Sequence, residues 1–280
     1  MIRIIGYTTF ALVAFAFNSI LCRMALRTGE ADAAGFTVVR LVSGAVALIV
    51  ISYFFGKAKS SNMKRGTWVS ALFLFAYAIC FSFAYIGLTA ATGALILFSA
   101  VQFTMIAVTL VRGERPRTLE WFGLLIAVGG LVYLVFPGLS SPPVFASSLM
   151  TAAGVAWGFY TLRGKGSSDP LGETTGNFIR AVPMIAIAAV PFLSQIHLST
   201  RGIVLAVLSG AIASGVGYTV WYAALKHHTA TRAAVLQLSV PVIAAFGGVM
   251  LLSEAMTTRL LIASALILGG IGMTILGRKP

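Results

Sequence analysis

Residues 112–130 read RGERPRTLEWFGLLIAVGG, and residues 251–270 read LLSEAMTTRLLIASALILGG. In each stretch a glutamate, Glu114 or Glu254, stands fifteen residues before a Gly-Gly pair. The two glutamates are 140 positions apart, which is half of the 280-residue chain. The chain therefore contains one pattern twice. We expect each glycine pair to let its helix, the last of its half, pack closely against a neighbour.

The composition argues against a water-soluble domain. Hydrophobic residues make up 59% of the chain and charged residues 10%, whereas a soluble domain carries about 25% charged residues. Apolar runs of about 20 residues recur from end to end, each long enough to cross ~30 Å of hydrocarbon as a helix. A membrane barrel would need alternating segments of about ten residues instead. The composition predicts an all-α integral membrane protein that lies in the lipid bilayer.

Ten transmembrane helices joined by short loops are predicted. They lie near residues 4–26, 35–55, 67–88, 92–112, 118–137, 144–163, 174–194, 201–225, 231–252 and 258–277. If the N-terminus is cytoplasmic, 14 lysines and arginines lie on the inner side and 4 on the outer side. This asymmetry follows the positive-inside rule and predicts that both termini are cytoplasmic. It also accounts for the net charge of +13 without a nucleic-acid partner.

The two halves match beyond the glutamates. Arg40 and Arg180 are also 140 positions apart, and residues 15–23 (FAFNSILCR) match residues 157–165 (WGFYTLRGK). The match between the first and sixth spans predicts that the first span is retained and is not a cleaved signal peptide. Each half, 1–140 and 141–280, carries five spans, so the second half enters the membrane from the opposite side. Inverted repeats are typical of alternating-access transporters, whose substrate site lies near the midplane between the halves.

Three features together resemble a known family. They are WGFY at residues 157–160, the arginine near the start of the second and seventh spans, and the glutamate before a glycine-rich last span. Over its whole length the chain resembles the drug/metabolite transporter superfamily, EamA type, and within it the bacterial aromatic amino-acid exporters. The resemblance implies export across the bacterial inner membrane. It also implies a central cavity lined by spans 1–4 and 6–9, with spans 5 and 10 at the periphery.

Polar and aromatic side chains inside the spans are the candidate substrate-binding residues, since polar groups in hydrocarbon usually face a cavity or another helix. The candidates are Asn18, Ser19, Tyr77, Ser99, Gln102, Trp157, Tyr160, Tyr218, Trp221, Gln237 and Pro241. Asn18 and Gln102 lie near mid-span, where an amide can bind substrate or bond a neighbouring helix. Pro241 is predicted to kink the ninth span and free the carbonyl of Gln237. The aromatic residues suit stacking on a flat ligand, although Trp and Tyr also populate the membrane interface.

The charge pattern restricts the substrate. All seven Asp and Glu residues fall in loops or at span ends, so a cationic drug would find no counter-charge. Arg40 and Arg180 lie about one turn inside span ends and are predicted to snorkel to the surface. We therefore expect an uncharged site for a neutral or zwitterionic solute, with aromatic or other bulky amino acids favoured over other neutral metabolites or drugs. Glu114 and Glu254 are predicted to be structural, each favoured by the N-terminal dipole of the helix that follows it.

The sequence gives no indication of catalysis or of a bound cofactor. The three histidines lie at span ends or in loops, and no HExxH pair is present. Cys22 and Cys80 lie deep in apolar runs and are interpreted as small core residues, so neither a disulfide framework nor a metal site is predicted. We expect a monomer whose partners are the lipid bilayer and a small-molecule substrate. A structural or receptor membrane protein that does not transport is the alternative class.

Overall fold

The computed structural model describes residues 2–55, 66–111, 118–136, 141–165, 167–228 and 236–276. Within these ranges the chain is helical and forms no strand apart from an isolated bridge between Ala31 and Leu198. The helices are α1 (Ile2–Arg27), α2 (Ala33–Phe55), α3 (Trp68–Ala84), α4 (Ala90–Val111), α5 (Thr118–Val135), α6 (Val144–Gly164), α7 (Pro170–Ala189), α8 (Thr200–Leu225), α9 (Ser239–Leu252) and α10 (Thr258–Leu276). A 3₁₀ turn, Val190–Gln195, extends α7.

Five of the described helices are long and apolar enough to cross a membrane. Among the described residues, α1, α2, α4, α7 with its 3₁₀ extension, and α8 each have the length and hydropathy of a membrane span, and α3, α5, α9 and α10 are shorter apolar helices. Large apolar side chains such as Phe145 and Ile187 are exposed on the outside of the bundle. An exposed apolar surface of this extent suits contact with lipid and would be unfavourable in water.

The helix contacts follow a pattern. When each of the first five helices is replaced by the helix of the same position in the last five, and the reverse, each major contact becomes a contact that is also present. Helix α3 packs against α6 and α7, and α8 packs against α1 and α2. Helix α4 packs against α6, and α9 packs against α1. The remaining major contacts, α2 with α7, α4 with α9 and α5 with α10, each join helices that hold the same position in the two halves. Both halves therefore contribute to every major interface of the bundle.

Helices α5 and α10 pack closely because glycine lies at their contact. A Cβ atom on Gly270 would lie 2.5 Å from the carbonyl oxygen of Gly123, and one on Gly130 would lie 2.7 Å from the Cβ of Leu266. A Cβ on Gly269, by contrast, would meet nothing within 4 Å. One glycine of each predicted pair thus faces the neighbouring helix and the other faces away.

Helix α8 changes its winding where it meets α2. Its turns are α-helical over Thr200–Val207 and Gly217–Leu225, and the intervening Leu208–Val216 is a π-helix. A Cβ on Gly210 would lie 2.0 Å from the carbonyl oxygen of Arg40, so only glycine permits this approach of the two backbones. Long π segments are rare in proteins and are often found at functional sites. This one brings two buried serines of α8 toward the centre of the bundle.

Candidate functional site

A cluster of buried aromatic rings surrounds Trp157 at the centre of the bundle. Its ring centroid lies 4.5 Å from that of Tyr218, 5.0 Å from Tyr77, 5.4 Å from Tyr160 and 5.8 Å from Phe15. These rings come from α6, α8, α3 and α1, so four helices converge on one place. The structure thus brings together four of the aromatic candidates, in the tilted and edge-to-face arrangements that aromatic pairs prefer.

Phe15 is a member of this cluster that the list of candidates omits. Its ring makes edge contacts with Trp221 at 5.7 Å and stacks on Phe98 of α4 at 6.5 Å. Phe15 and Trp157 are matched positions of the two half-sequences, and their rings touch. The signal that would have found Phe15 is this repeat match, because a residue whose counterpart is central is itself expected to be central.

Arg40 lies at the same centre, which corrects the prediction that it snorkels. Only 1% of its surface is exposed. Its Nη2 donates to the hydroxyl oxygens of Tyr77 and Tyr218, each at 3.1 Å, and its Nε donates to Oγ of Ser214 at 3.2 Å. The guanidinium carbon also lies 4.8 Å from the centroid of Phe81, a cation–π distance. The partners come from α3 and α8, so the side chain points into the bundle and not toward its end.

The site is therefore positively charged, contrary to the predicted uncharged pocket. An arginine is always protonated in proteins. Its hydrogen-bond partners here are neutral hydroxyls, and among the described residues Arg40 forms no salt bridge. Its Nη1 is buried and has no hydrogen-bond partner within the described part of the chain. The matched residue Arg180 lies elsewhere, with its guanidinium 5.9 Å from the ring of Trp68 and its Nη1 donating to the carbonyl of Gly176.

Asn18 belongs to the same polar network. Its Nδ2 donates to the hydroxyl oxygen of Tyr77 at 3.1 Å, and its Oδ1 accepts from the hydroxyl of Ser209 in the π segment. The amide therefore joins α1, α3 and α8, which is what the interpretation of Asn18 as a residue that bonds a neighbouring helix requires. It also lies one hydrogen bond from Arg40, through Tyr77. Both interpretations of Asn18 are compatible with this position.

The remaining polar candidates in α1 and α4 are Ser19, Ser99 and Gln102, and all three are buried. The hydroxyl of Ser99 donates to the carbonyl of Leu95 in its own helix at 2.6 Å. Gln102 is buried one turn after Phe98, on the same face of α4, and this face points toward the aromatic cluster. Ser19 is fully buried in α1.

The helical winding of the predicted ninth span is interrupted close to Pro241. Leu236 and Gln237 are helical, Leu238 is a turn, and α9 begins at Ser239, so the break lies three residues before the proline. Pro241 has no N–H to donate to the carbonyl of Gln237, four residues earlier, and the predicted release of that carbonyl stays a prediction. The Gln237 side chain is buried, and its Oε1 has no hydrogen-bond partner among the described residues.

A small polar vestibule lies at one end of the bundle, beside Tyr160 of the cluster. Its cavity volume is about 20 Å³, and Tyr160 is one of its lining residues. The hydroxyl of Tyr160 accepts from Nδ2 of Asn177 at 3.4 Å. Near the mouth, Nε of Arg163 donates to Oγ of Ser70 at 3.0 Å and joins α6 to α3. Tyr160 is thus shared between the vestibule and the aromatic cluster.

The opposite end is joined by Glu254, though not in the way predicted. Its Oε1 pairs with Nε of Arg23 at 3.1 Å, and its Oε2 accepts from the backbone N–H of Ala90 at 2.8 Å. The carboxylate thus caps α4, whereas the sequence predicted an interaction with the following helix, α10. The reason is local: Ser253 has a left-handed backbone with φ of 50°, which turns the chain, and Thr257 caps α10 with its own hydroxyl. The matched Glu114 lies outside the described residues.

A bundle with five helices long and apolar enough to cross a bilayer is typical of a multi-pass membrane protein. The chain belongs to the EamA-like transporter family, whose model matches residues 3–136 and again residues 144–276. It is therefore a membrane transporter of the drug/metabolite transporter superfamily and, like its bacterial relatives, a multi-pass protein of the inner membrane, as the sequence predicted. This membership indicates a transporter, not an enzyme.

Several relatives and a solved structure resemble the chain. An uncharacterized protein of Pseudomonas aeruginosa is 46% identical over 276 residues, covering 99% of this chain and 96% of the relative. The threonine/homoserine exporter RhtA of Escherichia coli K12 is 30% identical over 190 residues, 64% of this chain and 62% of the exporter. A probable amino-acid metabolite efflux pump of Salmonella typhimurium is 24% identical, with 72% of both chains covered. A crystal structure with 20% identity has a TM-score of 0.70 and covers 98% of this chain and 97% of its own, which supports the fold.

Proposed function

We propose that the chain is a secondary transporter that exports amino acids with aromatic or other bulky side chains from the cytoplasm by alternating access. The observation that carries the substrate class is the ring cluster around Trp157, whose members are buried and come from both halves. Aromatic pairs contribute about 0.5–1.5 kcal/mol each beyond area burial, so a substrate ring that replaces one of these contacts is stabilised by its neighbours. Two relatives are named for export of amino acids or their metabolites, which supports the direction.

The mechanism requires two inverted five-helix repeats, 1–140 and 141–280, with ten spans and both termini in the cytoplasm. The paired helix contacts support this arrangement, because exchanging the halves leaves the set of major interfaces unchanged. The contact between Phe15 and Trp157 supports it as well, since matched residues meet only near an axis that relates the halves. Two similar halves give inward-open and outward-open states of similar energy, which transport by alternating access needs.

In the proposed orientation the vestibule faces the cytoplasm and the Glu254 contact lies at the outer end. A substrate then enters past Arg163 and Asn177, passes Tyr160 and reaches the ring cluster. Release to the outside requires separation of α1, α4 and α9, which Glu254 and Arg23 hold together. Among the described residues nothing acidic lies within a helix core to relay protons, so we propose no coupling ion.

Counterflow in proteoliposomes tests the proposal. Vesicles loaded with unlabelled phenylalanine, tryptophan, leucine or threonine should accumulate the labelled amino acid transiently if the chain is a carrier, with the aromatic pair preferred. Trp157→Ala should reduce this flux at least about tenfold, since truncation of a buried aromatic costs several kcal/mol of packing. Trp121→Ala is the matched control, because Trp121 is half-exposed on the peripheral α5.

The outcomes separate the alternatives. A flux that saturates with other neutral metabolites or drugs but not with amino acids would retain the carrier and replace the substrate class. An absence of counterflow with every solute would favour a structural or receptor protein instead. Equal flux in Trp157→Ala and Trp121→Ala would remove the ring cluster from the substrate path.

A further inference from the structure

The guanidinium of Arg40 is a charge without a counter-charge inside the bundle. Burying an ionised group is costly unless it is paired, and a membrane interior increases that cost. Three neutral hydroxyls and an aromatic face surround this one, and within the described ranges it has no carboxylate partner. A neutral amide side chain at this position could join α2, α3 and α8 equally well. Joining these helices therefore does not require a charge.

The arrangement leaves part of the guanidinium available. Nε and Nη2 are bonded to Ser214, Tyr77 and Tyr218, while Nη1 is buried and has no partner among the described residues. Arginine binds carboxylates by presenting two N–H groups side by side to the two oxygens. One oxygen can bond Nη1, and the other can replace a tyrosine hydroxyl at Nη2.

The charge and the ring cluster share residues, so one ligand can reach both. Tyr218 bonds Arg40 through its hydroxyl, and its ring lies 4.5 Å from that of Trp157. Tyr77 likewise bonds Arg40 and contacts Trp157 at 5.0 Å. A molecule with a carboxylate on Arg40 and an apolar group two or three bonds away would place that group against Trp157.

We propose that Arg40 binds the carboxylate of the transported molecule, so the substrates are carboxylates that carry an aromatic or bulky apolar group. This inference rests on the proposed transport function and narrows it. It extends the substrate class to acids that have no amino group, because the polar groups that surround Arg40 in the described structure include no acidic partner for an ammonium. It excludes amides and amines of the same shape.

Binding to the purified protein in detergent tests this with a series of three ligands. L-phenylalanine and 3-phenylpropionate carry the carboxylate, and L-phenylalaninamide carries a neutral amide in its place. Isothermal titration of the wild-type protein should give affinities for the two acids at least about 30-fold higher than for the amide. This factor corresponds to roughly 2 kcal/mol at 1.4 kcal/mol per tenfold, the lower bound for losing a buried charge pair. The comparison needs no variant, so it holds even if a substitution disturbs folding.

Variants then assign the effect to one residue. Arg40→Gln should lower the affinity for both acids to that for the amide, and Arg40→Lys should recover part of the difference because it keeps the charge but not the paired N–H groups. Arg180→Gln is the matched control, since it removes the equivalent residue of the other half and should leave the preference unchanged. Melting curves of each variant check that the fold is retained.

The results distinguish failure of this inference from failure of the proposed function. Equal affinity for phenylalanine and its amide, with no effect of Arg40→Gln, would overturn the carboxylate site and leave amino-acid export standing. Binding of 3-phenylpropionate but not phenylalanine would support the carboxylate site and overturn amino-acid export. If Arg180→Gln removes the preference for acids and Arg40→Gln does not, the anion site lies at Arg180. This result would overturn the inference.

Discussion

Replacing Glu254 by glutamine should open the end of the bundle that we assign to the outside. The carboxylate of Glu254 bonds Arg23 of α1 and the N-terminus of α4 at the same time. Its side chain is 6% exposed and that of Arg23 is 15% exposed, so water screens the pair only in part. Glutamine preserves the shape of the side chain but removes the charge and one of the two acceptor oxygens.

The size of the effect follows from these two bonds. Hydrogen bonds to a charged group contribute about 1.5–3 kcal/mol each and a neutral one about 1 kcal/mol. Two charged bonds are replaced by one neutral bond, and Arg23 keeps its bonds to the carbonyls of Tyr85 and Ile86. We therefore expect the closed state to lose about 2 kcal/mol of stabilisation, near the lower end of the possible range. This loss shifts the ratio of closed to open states about 30-fold at 1.4 kcal/mol per tenfold.

A cysteine beneath the contact reports this shift. Ile20 is buried, and its side chain lies against Gly247 of α9. Ile20→Cys, in a background that lacks Cys22 and Cys80, should react slowly with a membrane-impermeant maleimide in right-side-out vesicles. Adding Glu254→Gln should raise the labelling rate by about 30-fold, since labelling follows the population of the open state.

Glu30→Gln is the matched control at the same end. Glu30 pairs with Arg201 at 3.8 Å, and the two side chains are 25% and 62% exposed. Exposed pairs contribute about 0–1 kcal/mol, so the labelling rate should change less than about fivefold. Unchanged labelling in Glu254→Gln, with a melting curve like that of its parent, would refute the idea that this contact closes the bundle. Labelling confined to inverted vesicles would refute the proposed orientation.

Two pairs of glycines give further predictions. Gly270→Ala should lower the free energy of unfolding by about 1–3 kcal/mol, because its Cβ overpacks the contact with α5, whereas Gly269→Ala, whose Cβ meets nothing within 4 Å, should be neutral or stabilising. Gly66→Ala should destabilise the protein more than Gly29→Ala. Both glycines have φ of +69°, so either alanine incurs about 1–2 kcal/mol of left-handed strain. Only at Gly66 would the Cβ also lie 2.5 Å from Oδ1 of Asn177. Denaturant titration in detergent measures each difference, and equal values within either pair would contradict the packing argument.

The helices were predictable from sequence because hydrocarbon leaves the backbone few alternatives. A chain in lipid must satisfy its peptide groups internally, so a long apolar run becomes a helix and hydropathy shows where it lies. A helix was predicted at 144–163 and is observed as Val144–Gly164, and another was predicted at 118–137 and is observed as Thr118–Val135. Their ends also carry local signals, such as Asp169, whose side chain caps α7 by accepting from the N–H of Gly172.

The role of Arg40 was not predictable in the same way. Its position along α2 suggested a place near the membrane surface, but burial depends on which face of the helix the arginine occupies and on what stands opposite. Its partners Tyr77, Ser214 and Tyr218 are 37, 174 and 178 residues away. The π segment of α8, which brings Ser214 into reach, has no signature in hydropathy.

Pro241 and Glu254 show the same limit at helix ends. The sequence suggests that a proline disturbs a helix, but not that the break in the winding falls at Leu238, between Gln237 and Ser239. Similarly, the sequence suggests that a carboxylate stabilises a helix N-terminus, but not that the terminus is that of α4, 164 residues away. In both cases the local rule holds and the identity of the partner is tertiary information.

Arg40 and Arg180 hold matched positions in the two half-sequences, but the structure places their side chains differently. Had both copies kept the guanidinium at the axis, two like charges would stand close together in surroundings of low dielectric, where their repulsion is strong. In the observed bundle one is central and the other rests against Trp68 near a helix end. Because only one of the two matched arginines is central, the anion site that we propose would hold a single carboxylate.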